Sequence, residues 1–205
     1  MTYDIILAGV GGQGVLSIAA IIASAAMAEG LKVRQSEVHG MAQRGGAVSA
    51  HLRISDARIS CDLIPSGGAD MILSMEPVES LRYISFLKPE GVIVTAAESF
   101  VNIPDYPDLG LVIAAIRRFP RSRVVAAAEL ARKAGSARAV NMVIVGAASP
   151  FIPVGPAQME KSIVGLFGAK DASVVEANLK AFASGRAEAA SGRAEGASGR
   201  SAVGA

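Results

Sequence analysis

The chain has 205 residues and a formal net charge of +2; 51% of it is hydrophobic but only 4% aromatic, with no Trp. That length suits one domain with a substantial core, and apolar content drawn from Ala, Val, Ile and Leu suits a layered α/β protein. The near-neutral balance argues against a nucleic-acid or acidic-lipid partner. The single cysteine, Cys61, excludes an internal disulfide, a structural zinc site and an all-cysteine iron–sulfur site.

The opening MTYDII lacks the basic region of a signal peptide. The apolar run at residues 15–28 is too short for a membrane span and stops at Glu29. A soluble, reduced, cytoplasmic protein is expected, without a membrane partner.

Tyr3 to Ala8 is an apolar run entering a glycine turn, the pattern of a buried parallel strand. A helix follows from Val15 to Glu29, with Gly30 as its left-handed terminator. Leu31 to Val38 reads as a second strand completing a βαβ unit. HGMAQRGG then forms a polar, glycine-containing loop, and residues 47–55 a third strand with in–out alternation.

Residues 56–69 are loop, and MILSM at 71–75 is a fourth strand. Pro77 opens a helix whose apolar face is Val78, Leu81, Ile84 and Leu87. Gly91 to Ala96 is a fifth strand, Leu109 to Arg118 a helix, Val124 to Ala127 a weak strand, and Glu129 to Ala134 helical. AVNMVIVGA fits a buried strand or a buried helix equally. Helices are predicted for Pro156 to Phe167 and for Asp171 to Ala183, the second capped by Asp171. The order of elements predicts a three-layer α/β/α Rossmann-like sandwich with a mostly parallel sheet over residues 1–183. Residues 184–205 begin a seven-residue SGRAEAA repeat without large apolar side chains, and read as a disordered, solvated tail.

The chemistry is concentrated in AGVGGQGV. Gly9, Gly11 and Gly14 spell GxGxxG between a strand and a helix, as a dinucleotide fingerprint requires. Gly9, Gly11, Gly12, Gln13 and Gly14 allow a tight turn that brings bare N–H groups, and a helix N-terminus, toward a diphosphate or carboxylate. The plainer alternative is a turn that merely packs helix on sheet. Glu37, 23 residues after Gly14, stands where a ribose-binding acid would sit in a nicotinamide enzyme.

Beyond it come His39, Gly40, Met41, Gln43, Arg44, Gly45 and Gly46. His39 and Arg44 suit an anionic substrate or a partner subunit, and a local Glu37–Arg44 ion pair with His39 capping a turn is the bland alternative. No nucleophile–base pair or metal cluster is apparent. Cys61 reads as a small packed residue, His51 as structural. Any hard chemistry would belong to a cofactor held elsewhere. A stand-alone NAD(P)-dependent dehydrogenase and a nucleotide-sensing regulatory module remain open as alternatives.

GVGGQGV, then SEVHGMAQRGGAV with HLRIS, GADMILSMEPVESLRY, Asn141 in AVNMVIVG, and NLKAFASG resemble the γ-type subunits of 2-oxoacid:ferredoxin oxidoreductases, over about residues 3–185. HGMAQRGG is most similar to the indolepyruvate branch of that family. The resemblance implies a subunit of a thiamine-diphosphate enzyme that decarboxylates an arylpyruvate oxidatively, forms an acyl-CoA and reduces ferredoxin. It implies a large α partner holding thiamine diphosphate, Mg and the 4Fe-4S clusters, with coenzyme A at a shared site and no cofactor bound by this chain alone. On that resemblance Gly9, Gly11, Gly12, Gln13, Gly14 and Asn141 would face coenzyme A or the cofactor region. Glu37, His39, Gln43, Arg44, Gly45 and Gly46 would lie at the mouth between subunits.

Overall fold

The computed structural model describes residues 1–39, 45–101 and 103–198. The chain runs β1 (Thr2–Val10), α1 (Val15–Ala28), β2 (Lys32–His39), β3 (Ala47–Ser55), β4 (Ala69–Ser74), α2 (Pro77–Arg82), β5 (Leu87–Ala96), α3 (Leu109–Arg117), β6 (Ser122–Val125), α4 (Ala127–Lys133), α5 (Val140–Ala148), α6 (Pro156–Phe167) and α7 (Ala172–Ser198). The strands form one sheet in the order β2-β3-β1-β4-β5-β6. β1, β4, β5 and β6 pair in parallel, while β3 runs antiparallel to both of its neighbours, β1 and β2. Five strands therefore share one direction, and β3 alone opposes them.

Successive side chains of a strand point to opposite faces, and the core divides accordingly. Ile5, Leu7, Met71, Leu73, Val92 and Val94 face a layer built from α1, α4, α5, α6 and α7. Ile6, Ile72 and Ile93 face the other way, toward α2, α3 and the turn at Ile84–Phe86. The result is the expected α/β/α sandwich. AVNMVIVGA resolves as a helix, α5, whose residues from Met142 to Ala148 are all buried. Burial on every side removes the polar face that would have shown a helical period.

Three expectations are corrected. The first βα unit does bring β2 back parallel to β1, but β3 is inserted between them. The face predicted over Val78, Leu81, Ile84 and Leu87 is not one helix: α2 ends at Arg82, a 3₁₀ turn carries Ile84, and Leu87 starts β5. All four still pack on the cluster around Ile93, so periodicity found the face and missed the break. Cys61 is exposed rather than packed; its carbonyl accepts from Arg53 Nη1 at 3.0 Å.

The largest departure lies at the C-terminus. Residues 184–198, read as tail, continue α7, and Gly185 and Ala189 are buried with Ala181 and Phe182. A Cβ on Gly185 would stand 1.9 Å from the Val143 carbonyl oxygen, and one on Gly146 2.0 Å from that of Phe182. The α5 and α7 backbones thus cross in direct contact, and only glycine fits at either point. Arg186 donates to Ser149 Oγ at 3.0 Å and ties the end of α5 to the same crossing. The small residues Gly185 and Ala189 of the first repeat unit sit at this crossing, where bulk cannot enter. Residues 199–205 lie outside the described residues.

Among the described residues, no helix is long and apolar enough to cross a membrane.

Candidate functional site

The glycine loop leaves the carboxyl end of β1 and enters α1. Gly12 (φ 101°) and Gly14 (φ 82°) occupy left-handed backbone that other residues rarely adopt. Gly9 is required by space: a Cβ there would lie 2.8 Å from Val15 Cγ2 and 2.9 Å from Gln13 Oε1. Gln13 staples the turn, accepting from the Val10 amide at 2.7 Å, with Nε2 3.4 Å from the Met75 carbonyl oxygen after β4. Its role is internal, holding two strand ends together.

The same loop is bonded to the second motif. The Gly11 amide donates to Gly46 at 2.8 Å, and the Gly45 amide to Gly11 at 3.3 Å. These bonds continue the β1–β3 ladder past the Val10–Ala47 pair, so the two glycine segments form one wall. One consequence is that the Gly11 amide is not available to a ligand. Among the described residues nothing accepts from the amides of Gly12, Gly14, Val15 or Leu16. These four line the opening of α1, where the helix dipole also favours negative charge.

A second helix begins beside the first. Asn141, in the first turn of α5, sits so close that a Cβ on Gly14 would lie 2.9 Å from its Nδ2. Both helix starts open onto a cleft of about 530 Å³ lined by Gly12, Gln13, Gly14, Asn141, Met75, Glu98, Phe100 and Arg138, among others. The cleft continues, through Ala137, Arg138 and Asn141, into a wider groove reaching Ser17, Lys170 and Asn178. Arg138 and Lys170 are exposed and have no ion-pair partner among the described residues. Two helix starts and the cations Arg138 and Lys170 stand along this groove, together with the carboxylates of Glu98 and Asp171.

Glu98 and Arg138 were not singled out by the sequence. Glu98 lies just past the carboxyl end of β5, the edge of a parallel sheet where ligands bind. That placement was the signal available. Its Oε1 accepts from the Ala128 amide at 2.9 Å, while its Oε2 is buried and has no partner among the described residues. The neighbouring polar cluster is also a tertiary product. Buried Glu76 caps α2 through the Glu79 amide at 2.9 Å and accepts from the Tyr106 hydroxyl. Burial, with the adjacent Glu76 carboxylate, pushes the Tyr106 hydroxyl well above its ordinary range. Burial likewise raises the Glu79 carboxyl, opposed by its 3.0 Å bond from Arg82. These groups are tied to each other and anchor the loop that carries Glu98.

The remaining expected residues are placed as follows. Glu37 is exposed on edge strand β2 and accepts from Gln35 Nε2 at 2.5 Å. Its register through Ala50 to Leu7 puts it two strands from β1, roughly 9–10 Å sideways. In the dinucleotide arrangement the corresponding strand adjoins β1. The insertion of β3 therefore removes the geometry that made Glu37 a ribose acid. His39 ends β2; Gln43 and Arg44, with Gly40 and Met41, lie outside the described residues. His51 is buried, its Nδ1 accepting from the Ile64 amide at 3.0 Å, a structural role. Among the described residues no group of three His, Cys, Asp or Glu could hold a metal ion.

Fold and site together define an α/β protein with a glycine-lined cleft where two helices begin, and no metal-holding cluster among its described residues. Residues 4–188 match the family model for pyruvate ferredoxin/flavodoxin oxidoreductase, and the chain belongs to that family. It is 41% identical to the indolepyruvate oxidoreductase subunit IorB of Archaeoglobus fulgidus, over 90% of this chain and 94% of that one. With the same subunit of Pyrococcus horikoshii it shares 37%, over 88% and 92%. The γ subunit of a keto/oxoacid ferredoxin oxidoreductase from Geobacter sulfurreducens superposes with a TM-score of 0.68 at 25% identity, covering 92% of this chain and 99% of that one. The Magnetococcus marinus 2-oxoglutarate:ferredoxin oxidoreductase, solved with 2-oxoglutarate, coenzyme A and succinyl-CoA bound, shares the fold. Its TM-score is 0.73 at 23% identity, over 93% of this chain and 31% of that one. The chain is thus a γ-type subunit of a 2-oxoacid:ferredoxin oxidoreductase.

Proposed function

We propose that this chain is the small subunit of an indolepyruvate, or related arylpyruvate, ferredoxin oxidoreductase, and that its cleft holds the anionic part of coenzyme A. The observation that carries the second claim is the meeting of two helix starts, α1 and α5, over one cleft flanked by Arg138 and Lys170. A phosphate there would accept from the Gly12, Gly14, Val15 and Leu16 amides and gain from both dipoles. The residues fit such a group, because the left-handed Gly12 and Gly14 and the missing side chains of the loop leave the amides exposed to it. Coenzyme A would supply the thiol that carries away the acyl group.

The decarboxylation and electron transfer are assigned to a large α subunit bearing thiamine diphosphate, Mg and 4Fe-4S clusters, with ferredoxin as acceptor. Glu37, His39, Gln43, Arg44, Gly45 and Gly46 would form the mouth toward that subunit. The indolepyruvate assignment rests on the names of the relatives and on HGMAQRGG. Against a stand-alone NAD(P) dehydrogenase stands the position of Glu37, carried away from the glycine loop by β3.

The test is co-purification with the large subunit and an assay of coenzyme-A-dependent dye or ferredoxin reduction. Indolepyruvate and phenylpyruvate are expected to be turned over faster than pyruvate, by the pair and not by this chain alone. Activity of the isolated chain, or saturable NADH binding by it, would overturn the reading. So would a pair inactive with every 2-oxo acid. Arg44→Ala in the pair is expected to raise the Michaelis constant for coenzyme A or to slow turnover.

A further inference from the structure

The cleft has two walls from distant parts of the chain. One is the glycine loop; the other is the segment after β5, whose Ser99 and Phe100 line the same space. From Phe100 to Asp108 every described residue is exposed except Tyr106, and none of them joins an apolar cluster of the core. A segment with so few buried apolar contacts opens at little cost unless it is tied down. At one end the Glu98 carboxylate accepts from the Ala128 amide, and at the other Asp108 caps α3 through the Leu111 amide at 2.9 Å. Between them, among the described residues, the Tyr106 hydroxyl makes the one hydrogen bond to the body of the protein, donating to Glu76.

Glu76 is a firm anchor. It is 1% exposed, its amide donates to Ser74 Oγ at 3.1 Å, and its Oε2 accepts from the Glu79 amide at 2.9 Å, which leaves Oε1 for Tyr106. The residue before it, Met75, donates its amide to the Ala8 carbonyl oxygen at 2.9 Å, and its own carbonyl oxygen lies 3.4 Å from Gln13 Nε2. The turn after β4 therefore carries both walls: the glycine loop through Gln13, the opposite segment through Tyr106. Ser99 is in turn hydrogen-bonded to the Tyr106 side chain, so the tie reaches a residue that lines the cleft. We propose that Tyr106 is a positioning residue of the cleft: bonded to Glu76, it holds the Ser99–Phe100 wall in place against the glycine loop and fixes the width open to a ligand. This rests on reading the cleft as the coenzyme A site, and adds what gives that site its shape. Tyr106 does not itself line the cleft and acts through Ser99 and Phe100. Burial and the neighbouring Glu76 carboxylate keep its hydroxyl protonated well above the ordinary range, so it stays a donor.

The test compares wild type, Y106F and E76Q, each co-purified with the large subunit, by coenzyme A kinetics and by amide hydrogen exchange. Y106F removes the hydroxyl alone. It is expected to raise the Michaelis constant for coenzyme A about fivefold, the worth of one ordinary hydrogen bond, with kcat within about twofold of wild type. Exchange at the Ser99 and Phe100 amides should quicken by a similar factor. E76Q still caps α2 through its amide oxygen and can donate to the phenol oxygen, so it should keep the Michaelis constant within about twofold of wild type. A Y106F complex with an unchanged Michaelis constant, while wild type saturates normally with coenzyme A, would overturn the role of Tyr106 and leave the coenzyme A site standing. So would a fall in kcat and melting temperature without a rise in that constant, which is the mark of a merely structural residue. In wild type, independently of how any variant folds, coenzyme A should slow exchange at Ser99 and Phe100; binding without that protection would also overturn the proposal. A wild-type complex that binds no coenzyme A would overturn the reading of the cleft, and this proposal with it.

Discussion

Two groups of glycines in this molecule do opposite jobs. In the loop at 9–14, Gly12 holds a left-handed turn in open space, with nothing among the described residues within 4 Å of where its Cβ would be, on the surface proposed to face a ligand. At the α5–α7 crossing, glycine removes side chains so that two backbones can touch, and a Cβ on Gly146 or Gly185 would overlap a carbonyl oxygen. The first group has a sequence spacing that names it. The second has none, because the two glycines meet from different helices and the rule they obey is a distance between chains. Empty space around a glycine points to ligand access or to backbone conformation; a filled surrounding points to packing.

The sharpest way to break this contrast is Gly185→Ala or Gly146→Ala. Either forces the helices apart, and a loss of about 3 kcal/mol is expected, lowering the melting temperature by roughly 10 °C. A melting temperature within a degree of wild type would show that α7 does not hold the crossing. Truncation supports the same point. Ending the chain after Phe182 should destabilise it as severely, since it removes Gly185, Arg186 and Ala189 from the core.

Gly12→Ala should cost less in stability, about 1 kcal/mol for the left-handed backbone alone. Its larger expected effect is on affinity for coenzyme A, measured by calorimetry on the complex. Arg138→Ala sharpens the contrast from the ligand side. The side chain is exposed and forms no ion pair among the described residues, so stability should stay within about 0.5 kcal/mol. The Michaelis constant for coenzyme A should rise several-fold, and an unchanged constant would remove Arg138 from the site.

The smallest effect is a control that touches neither glycine group. Burial, with the charge of Arg53, holds the His51 imidazole below its ordinary value of 6.5. The unfolded chain therefore takes up the proton first as pH falls, and stability declines below about pH 6.5 until the folded imidazole also titrates. Denaturant midpoints between pH 5 and 8 should show this decline. It should vanish in His51→Gln, while the effects of Gly185→Ala and Gly12→Ala persist across the range.

The glycine turn was legible in the residues. Gly9, Gly11, Gly12 and Gly14 could be read because their spacing encodes a local turn, and the strand before and helix after are local too. Gly45 and Gly46 belonged with them, as the Gly11–Gly46 bond makes plain. Glu37 was a natural candidate for a sheet with β2 beside β1. It was displaced by a strand whose insertion between them is a matter of pairing and not of local pattern. Glu98 and Arg138 carry no motif. They became neighbours of the loop only when β5 and the α4–α5 connection were brought to the same end of the sheet.

By itself, then, the sequence determined the layered α/β architecture, the left-handed end of α1 at Gly30, the glycine turn between β1 and α1, and the family. Each follows from periodicity, from the backbone freedom of glycine, or from short motifs in order along the chain. Only the tertiary structure decided that β3 opposes its neighbours, that α7 runs on through the first two repeat units, and that Glu98 and Arg138 line the same cleft as the glycine loop. These depend on contacts between residues far apart in the chain, such as Val143 with Gly185, and such contacts exist only after the chain has closed on itself.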